Sequence, residues 1–466
     1  MALPIPVPSL NAVLSDPALM LEDSIYDHLV TISPTGKLIA DLASSWTSNT
    51  NATQWIFTIR PAKFSNGSPV TLKDVLFSFN AVHDNPKALP NGDLADMVSI
   101  KSVGTNKVEF FLKAPYSSWP VQTRGISIVP ESVYQSEGPA KFATAPVGSG
   151  PYKVVSFTQG GTIKLQANPY YWGPKPAFQT VNVVPTLDQT ARLNGLQSGS
   201  LDVAPLVPEQ LQTARADSSL SISTSPSNLV VYLGFNMKLA PLNSLKLRQA
   251  ISMGINRPQL TKVLLGGQAT PVGQMVAPVT FGYSPSVAPT AYNQAEAKKL
   301  VSESGYKGQV IPFQWATDYI IPFQNAIAQA IQGELKQIGV NVKLEGSTTN
   351  TFITDWQARH FNGIYMFSWG PSSMDADAIL QGSYLPTSGV SYFSDPQINK
   401  LTAQSEAQPN PAKRLALITK IWQISNANVY YAPLFYGVNV VGSIKSAALY
   451  TARADGYMHV QDIRKP

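Results

Sequence analysis

The sequence predicts an α/β chain, or α+β by some counts, on three observations. Segments with period-two or unbroken apolar patterning alternate with segments of helical spacing along the whole length. Prolines (37) and glycines (31) punctuate the chain into short elements. Two of the helical segments run straight into or out of a strand, as βα units do. At about 150 residues per domain the length corresponds to about three domains, and 466 residues can bury a large core without staples.

Each element carries its own signal. Thr71 and Asp74 form a Thr-x-x-Asp variant of the capping box and open a helix through His83, with Leu72, Val75, Leu76 and Phe79 on one face. Period-two alternation marks a strand from Thr162 to Ala167, with Ile163, Leu165 and Ala167 together, and another from Val181 to Val183. The apolar runs Leu229 to Phe235 and Ile364 to Trp369 read as strands buried on both sides. Asn293 and Glu296 cap a helix that Gly305 ends in the left-handed position. Pro322 opens a long helix with Phe323, Ile327, Ile331, Leu335 and Ile338 at helical spacing, and Gly339 stops it. A strand then runs from Gly339 to Leu344, with Val340, Val342 and Leu344 on one face. Asn410-Pro411 opens the last helix, which bears Leu415, Ile418 and Trp422. The sequence has no internal repeat and no low-complexity segment.

Composition removes several function classes. Charged residues are 13% of the chain, about half the roughly 25% usual in soluble proteins, a profile that suits work outside the cytosol. A hydrophobic share of 44% with few charges excludes a disordered chain and a coiled coil. The net charge is +6, from 34 basic and 28 acidic residues, and the Lys and Arg are scattered. Nucleic acid is therefore not an expected partner. Without cysteine there are no disulfides, Cys-based zinc sites or thiol catalysis. No run of about 18 apolar residues exists, so no transmembrane helix is expected. Met1 to Pro8 lacks the basic and apolar regions of a signal peptide; either an export signal has been removed or the protein stays in the cytoplasm.

Residue chemistry favours binding over catalysis. His28, His83, His360 and His459 are widely separated, with no metal-ligand spacing, so neither a metal site nor a cofactor is expected. Gly148-Ser149-Gly150 precedes Pro151-Tyr152 and is neither a dinucleotide nor a phosphate loop, and no nucleophile elbow occurs. Aromatic residues in polar, loop-like settings are more telling: Trp315, Tyr319, Trp369, Tyr384 and Tyr392. Such rings stack on sugars or apolar groups and attract cations, although core packing explains most aromatics. Trp369 stands out because it ends a buried strand and leads into Gly370-Pro371-Ser372-Ser373.

Several segments together resemble the large extracytoplasmic solute-binding proteins of ABC transporters, the family-5 group with oligopeptide-, dipeptide-, nickel- and oligosaccharide-binding members. They are Leu38 to Trp46, Trp55 to Arg60, Lys63 to Val75, Pro146 to Tyr152 and Asn168 to Trp172, followed by Gly234-Phe235-Asn236, Leu247 to Ile251 and Ile255-Asn256-Arg257. Their order and spacing agree over nearly the whole chain. The resemblance implies a periplasmic-binding-protein-like clamp of two lobes. Lobe one comprises residues 1–48, 170–236 and 440–466, with an extra subdomain at 49–169; lobe two is 237–439. Hinges are expected near Phe235 to Lys238 and Tyr436 to Val441, and ligand contacting both lobes would shift the population toward a closed form. The implied protein is a monomer, not an enzyme. It sits in the periplasm or at the cell surface and delivers a peptide-like, oligosaccharide-like or opine-like solute to a membrane permease. The alternatives are a cleft hydrolase using a carboxylate pair, and a nickel or metal-chelate binder.

Two departures from the group bear on the solute. Peptide-binding members carry an aspartate three residues after the strand-ending tryptophan, where it neutralises the peptide ammonium; here that position is Ser372. An uncompensated buried ammonium costs several kcal/mol, which argues against free-amine peptides unless Asp375 or Asp377 takes over. Dipeptide-binding members also use an arginine in the segment similar to Gln314 to Ile320, where this chain has Trp315 and Asp318. The expected ligand-binding set is Trp369, Ser372, Asp375, Trp315, Asp318, Tyr319 and Tyr384, with Asn236 at the hinge or cleft floor. The extended first strand of the group is expected to be short or missing before Asn11.

Overall fold

The structure, a computed structural model, describes residues 1–14, 19–318 and 321–466. It divides into two compact units, Met1–Ser225 with Glu406–Pro409 and Asn439–Pro466, and Pro226–Ser405 with Asn410–Val438. Two long strands, Leu220–Phe235 and Tyr431–Ile444, each belong in part to both units. Helix and strand mix in both, as an α/β chain requires.

Unit 1 is built on two four-stranded sheets. One runs Ala43–Ser48, Gln54–Ile59, Lys107–Leu112, Met97–Val103, all antiparallel. Alternation sets its inner face: Trp55, Phe57 and Ile59 are buried, as are Val108, Phe110 and Leu112 on the neighbouring strand. Against this face lies the helix Leu72–His83, and the Phe79 and Phe57 rings meet Phe110 edge-on at 4.9 and 5.4 Å. The expected capping box is present in full: Thr71 N–H donates to Asp74 Oδ2 at 2.8 Å, and Asp74 N–H to Thr71 Oγ1 at 3.4 Å. The buried stripe is Val75, Phe79 and Val82, with Leu72 and Leu76 half-buried at its margin. In the other sheet, Ile163–Ala167 lies between Tyr152–Phe157 and Thr180–Pro185, and the first strand is reduced to Ala2–Leu3.

The core strand of unit 2 is Ile364–Trp369. It runs antiparallel to residues 230–235 and parallel to Ile311–Ala316, which pairs in parallel with Val342–Ser347. Both of its faces are covered, which explains the unbroken apolar run. Ile364 and Met366 join Phe313, Trp315, Ile327, Ile331 and Leu335 on one face. Tyr365 and Phe367 join Phe352, Phe361, Ile418 and Trp422 on the other, with half-buried Trp369 packed against them.

Helix ends follow local chemistry. Asn293 and Asn410 accept from the N–H groups of Glu296 and Lys413 at 3.0 and 3.1 Å, and Gly305 takes φ +80° beyond the helix Gln294–Glu303. Two expectations need correction. The long helix is Gln324–Gln337, not one opened by Pro322; Phe323 precedes it at φ +55° and is 37% exposed, so the buried stripe begins at Ile327. A left-handed residue cannot belong to a right-handed helix, so Phe323 lies off the helical face. The following strand starts at Val342. Val340 is buried instead as the residue after a left-handed Gly339: its N–H reaches Leu335 O at 2.9 Å while Gly339 N–H reaches Lys336 O at 3.1 Å. This is a Schellman closure, and the apolar residue after the glycine serves the helix end.

Candidate functional site

In unit 2 the parallel strands Ile311–Ala316, Val342–Ser347 and Ile364–Trp369 all end on one edge, where ligands of open α/β sheets sit. Trp369 closes the central strand and is half-buried after a fully buried run. Trp356, from the helix Thr349–Ala358, meets its ring edge-on at 5.8 Å. The tip of the Trp369 indole lies over Gly382, where a Cβ would collide with it, so only glycine admits the ring there.

The loop after Trp369 is held at several points. Asn228 Nδ2 donates to Pro371 O at 3.0 Å, Met374 N–H to the same oxygen at 3.0 Å, and Phe281 N–H to Met374 O at 2.8 Å. Met374 itself sits at φ +55°, in the left-handed region. Both carboxylate oxygens of Asp375 accept from Arg414, at 2.6 and 2.7 Å, and the Arg414 guanidinium lies 4.9 Å from the Phe281 ring centre. Asp375 and Arg414 are each 5% exposed, so this carboxylate is committed to the protein. Asp377 is buried as well. Ser372 is exposed at the turn.

Asp318 lies just past the end of Ile311–Ala316. Its Oδ1 accepts from both the N–H and the hydroxyl of Thr349, at 2.7 and 2.8 Å, and these bonds hold its carboxyl below the usual carboxylate range. The parallel register pairs Phe313 with Ile364 and Trp315 with Met366; three residues beyond the second pair stand Asp318 and Trp369.

The other expected site residues lie elsewhere, and Tyr319 is outside the described residues. Trp315 is 7% exposed on the opposite sheet face, where its Nε1–H donates to Asn325 Oδ1 at 2.8 Å. Tyr384 is fully buried among Trp422 and Tyr431, its hydroxyl 2.9 Å from Ser425 Oγ. Asn236 closes the other end of the central strand pairing, donating to Phe361 O at 2.7 Å and accepting from Lys238 N–H at 3.1 Å. The edge thus brings together Trp369, Ser372 and Asp318, joined by Thr349 and Trp356, which the sequence reading missed. Thr348-Thr349 directly after the strand Val342–Ser347 is a helix-cap signal that would have pointed to them.

Unit 1 holds a buried ionic cluster that sequence reading also missed. Asp23 lies 2.8 Å from His459 Nε2, 3.1 Å from His28 Nδ1 and 3.2 Å from Arg124. Burial alone would raise the Asp23 carboxyl, yet His459, Arg124 and His28 hold it well below its ordinary value. Burial pushes His28 down to about 4. Next to them Asp27 accepts from Trp172 Nε1–H at 2.9 Å, and the Arg60 guanidinium stacks 3.9 Å from the Trp172 ring centre. Burial raises Asp27 to about 7, and raises Asp41 too, with the Asp27 charge adding to it. Asp27 and Asp41 are 1% and 9% exposed, so this carboxylate pair is closed to any substrate. The cluster fastens the helix Leu19–Ile25 to the C-terminal segment, where Ser24 Oγ donates to Gln461 at 2.8 Å and Gln461 Nε2 to Asp23 O at 3.0 Å. Among the described residues no group of three or more His, Asp or Glu is placed to hold a metal ion, and no helix is long and apolar enough to cross a membrane.

Comparison with known proteins agrees with this architecture. The family model described as bacterial extracellular solute-binding proteins, family 5 Middle, matches residues 37–390. The nickel-binding periplasmic protein of Escherichia coli is 26% identical, over 93% of this chain and 88% of its own. The glutathione-binding protein of Shigella dysenteriae is 25% identical, over 86% of this chain and 82% of its own. Among solved structures, the ABC transporter-associated periplasmic binding protein DppA from Helicobacter pylori, in complex with a peptide, superposes with a TM-score of 0.78 at 21% identity. That match covers 99% of this chain and 97% of the other, and it shows a shared fold.

Proposed function

The chain belongs to the family-5 bacterial extracellular solute-binding proteins, and from that premise we propose that it captures a peptide-like solute at the strand edge of Trp369, Ser372 and Asp318 and passes it to an ABC transporter permease. It is a binding protein and not an enzyme. The observation that carries the proposal is the half-buried Trp369 at the end of an otherwise sealed strand, next to a loop locked by Asp375 and Arg414. A rigid loop beside a partly open aromatic ring lowers the ordering cost of binding. The glutathione-binding relative and the peptide-bound structural neighbour support a peptide-like cargo over an oligosaccharide. Bending near Tyr436 to Val441, where the chain passes from unit 2 to unit 1, accompanies capture in this proposal, whereas Phe235 to Lys238, expected as the other hinge, lies inside unit 2; the protein acts as a monomer.

A thermal-shift panel on ligand-stripped protein tests the reading. Binding to the native state alone adds about 2.7 kcal/mol at a hundredfold excess over Kd, so a true ligand raises the melting temperature measurably. The panel contains di- and oligopeptides, α- and β-linked oligosaccharides, opine-type conjugates and nickel. A shift with peptides is expected; shifts confined to sugars or to nickel would replace the peptide cargo with that class.

A further inference from the structure

The strand edge has a charge pattern that says more about the solute, on the reading that this edge is where solute binds. The three segments that meet there, residues 316–318, 347–351 and 369–373, contain no lysine or arginine and a single formal charge, Asp318. The remaining polar groups are neutral hydroxyls and amides from Thr317, Ser347, Thr348, Thr349, Asn350, Thr351, Ser372 and Ser373. Asp375 is turned to Arg414 and adds no charge to this edge.

Position makes Asp318 matter. It lies two residues past the strand that pairs in parallel with Ile364–Trp369, and Thr349, which holds it, opens the helix whose Trp356 ring meets Trp369 edge-on at 5.8 Å. Its Oδ1 takes both Thr349 hydrogen bonds, while Oδ2 takes neither, and the residue is exposed. The Thr349 N–H belongs to the first turn of the helix Thr349–Ala358, the helix end that favours an anion. Asp318 already takes that N–H. An anionic solute group would therefore meet a fixed carboxylate where it needs a donor, and a cation would meet that carboxylate beside an aromatic ring.

We propose that Asp318 is the charge-recognition residue of this site, and that the solute carries an ammonium or guanidinium group seated on its carboxylate beside Trp369. The hydrogen bonds from Thr349 keep the carboxyl ionised through neutral and mildly acidic pH. A cationic group recognised here needs no aspartate at position 372.

The test is affinity selection with mass-spectrometric readout on the full, ligand-stripped chain, using an equimolar mixture of trialanine amide, N-acetyl-trialanine amide and N-acetyl-trialanine. The first is cationic, the second neutral and the third anionic at pH 7. The wild type is expected to enrich the cationic member at least tenfold over the neutral one and to exclude the anionic one. Asp318→Asn should bring that ratio below threefold without lowering the melting temperature, because asparagine keeps the Oδ1 acceptor that Thr349 requires. Trp369→Ala should lose retention of all members. Unchanged discrimination in Asp318→Asn, or enrichment of the anionic member, overturns the cation assignment while leaving the site in place. Undiminished retention by Trp369→Ala overturns the site itself, and retention of none by the wild type overturns both.

Discussion

Single residues here have roles that their type alone does not announce. Asp375 is an acidic residue three positions past Ser372, and by sequence it offers a carboxylate to a ligand. In the structure it is sealed with Arg414 in a two-pronged pair, and its Oδ1 also receives the Asp377 N–H at 2.9 Å. Removing one member of a buried pair strands the other, at a cost of about 3–5 kcal/mol. Asp375→Asn is therefore expected to lower the stability of the chain by about 3 kcal/mol in urea denaturation and to perturb Trp369 fluorescence, because the same loop carries both residues. A loss below about 1 kcal/mol would mean that the pair does not hold the loop. Arg257 shows the opposite economy: it is 1% exposed and donates to the carbonyls of Pro433 and Ser252 at 2.7 and 2.8 Å. Burial lowers its pKa to about 10, which still leaves it charged at neutral pH.

At the scale of elements, what could be read in advance was whatever local chemistry decides. The capping box at Thr71 and Asp74, the asparagine caps at 293 and 410, and the strand Ile364–Trp369 all stand where their residues place them. The misreadings fall at helix ends, where Phe323 and Val340 are apolar for reasons of chain reversal and not of helical or strand periodicity. Helical spacing cannot distinguish an apolar residue on a helix face from one that folds back over its end. The candidate site was legible at Trp369 and Asp318, since strand ends are marked by the change in pattern, but not at Trp315 or Tyr384. Trp315 follows the alternation of its strand into the interior, and Tyr384 ends the helical segment Leu380–Tyr384 inside the core. The same logic yields a stability prediction. In Thr71→Ala the helix Leu72–His83 loses the hydroxyl that accepts Asp74 N–H, and the Asp74 carboxylate loses the hydroxyl donor at 2.6 Å. The expected cost is about 1 kcal/mol, with Thr71→Ser recovering most of it. Equal losses for both variants would show that the threonine methyl, and not the cap, is what the fold needs.

At the scale of the whole molecule, the buried ionic cluster of unit 1 could not be read from the sequence because it joins distant parts of the chain; Ser24 and Gln461, which meet beside it, are 437 residues apart. It also makes stability a function of pH in a way that can be assigned. The Asp27 carboxyl is raised by burial to about 7, against the hydrogen bonds from Trp172 and Ser149 and the charge of Arg60. A carboxyl raised in the fold contributes stability that is fully present below its unfolded value, 3.8, and that is lost as pH rises to about 7. His28, lowered to about 4, acts oppositely: its contribution is present above its unfolded value of 6.5 and is lost as pH falls through 4. Asp23, held well below 3.8, loses its contribution only in stronger acid. Because these trends overlap, the wild-type melting curve alone does not separate them, but the difference from one variant does. Asp27→Asn keeps an oxygen to accept the Trp172 N–H and removes the titrating group, so His28 and Asp23 cancel in the comparison, while Asp41, relieved of the Asp27 charge that raises it, shifts the difference in the same direction. The variant is expected to be more stable than the wild type at pH 7.5, with an advantage that shrinks toward pH 4.5 by up to about 1.4 kcal/mol per pH unit. Denaturation of both proteins across pH 4.5 to 7.5 measures it. An advantage that is constant over this range would show that Asp27 enters the fold already ionised, with Arg60 and its hydrogen bonds outweighing burial.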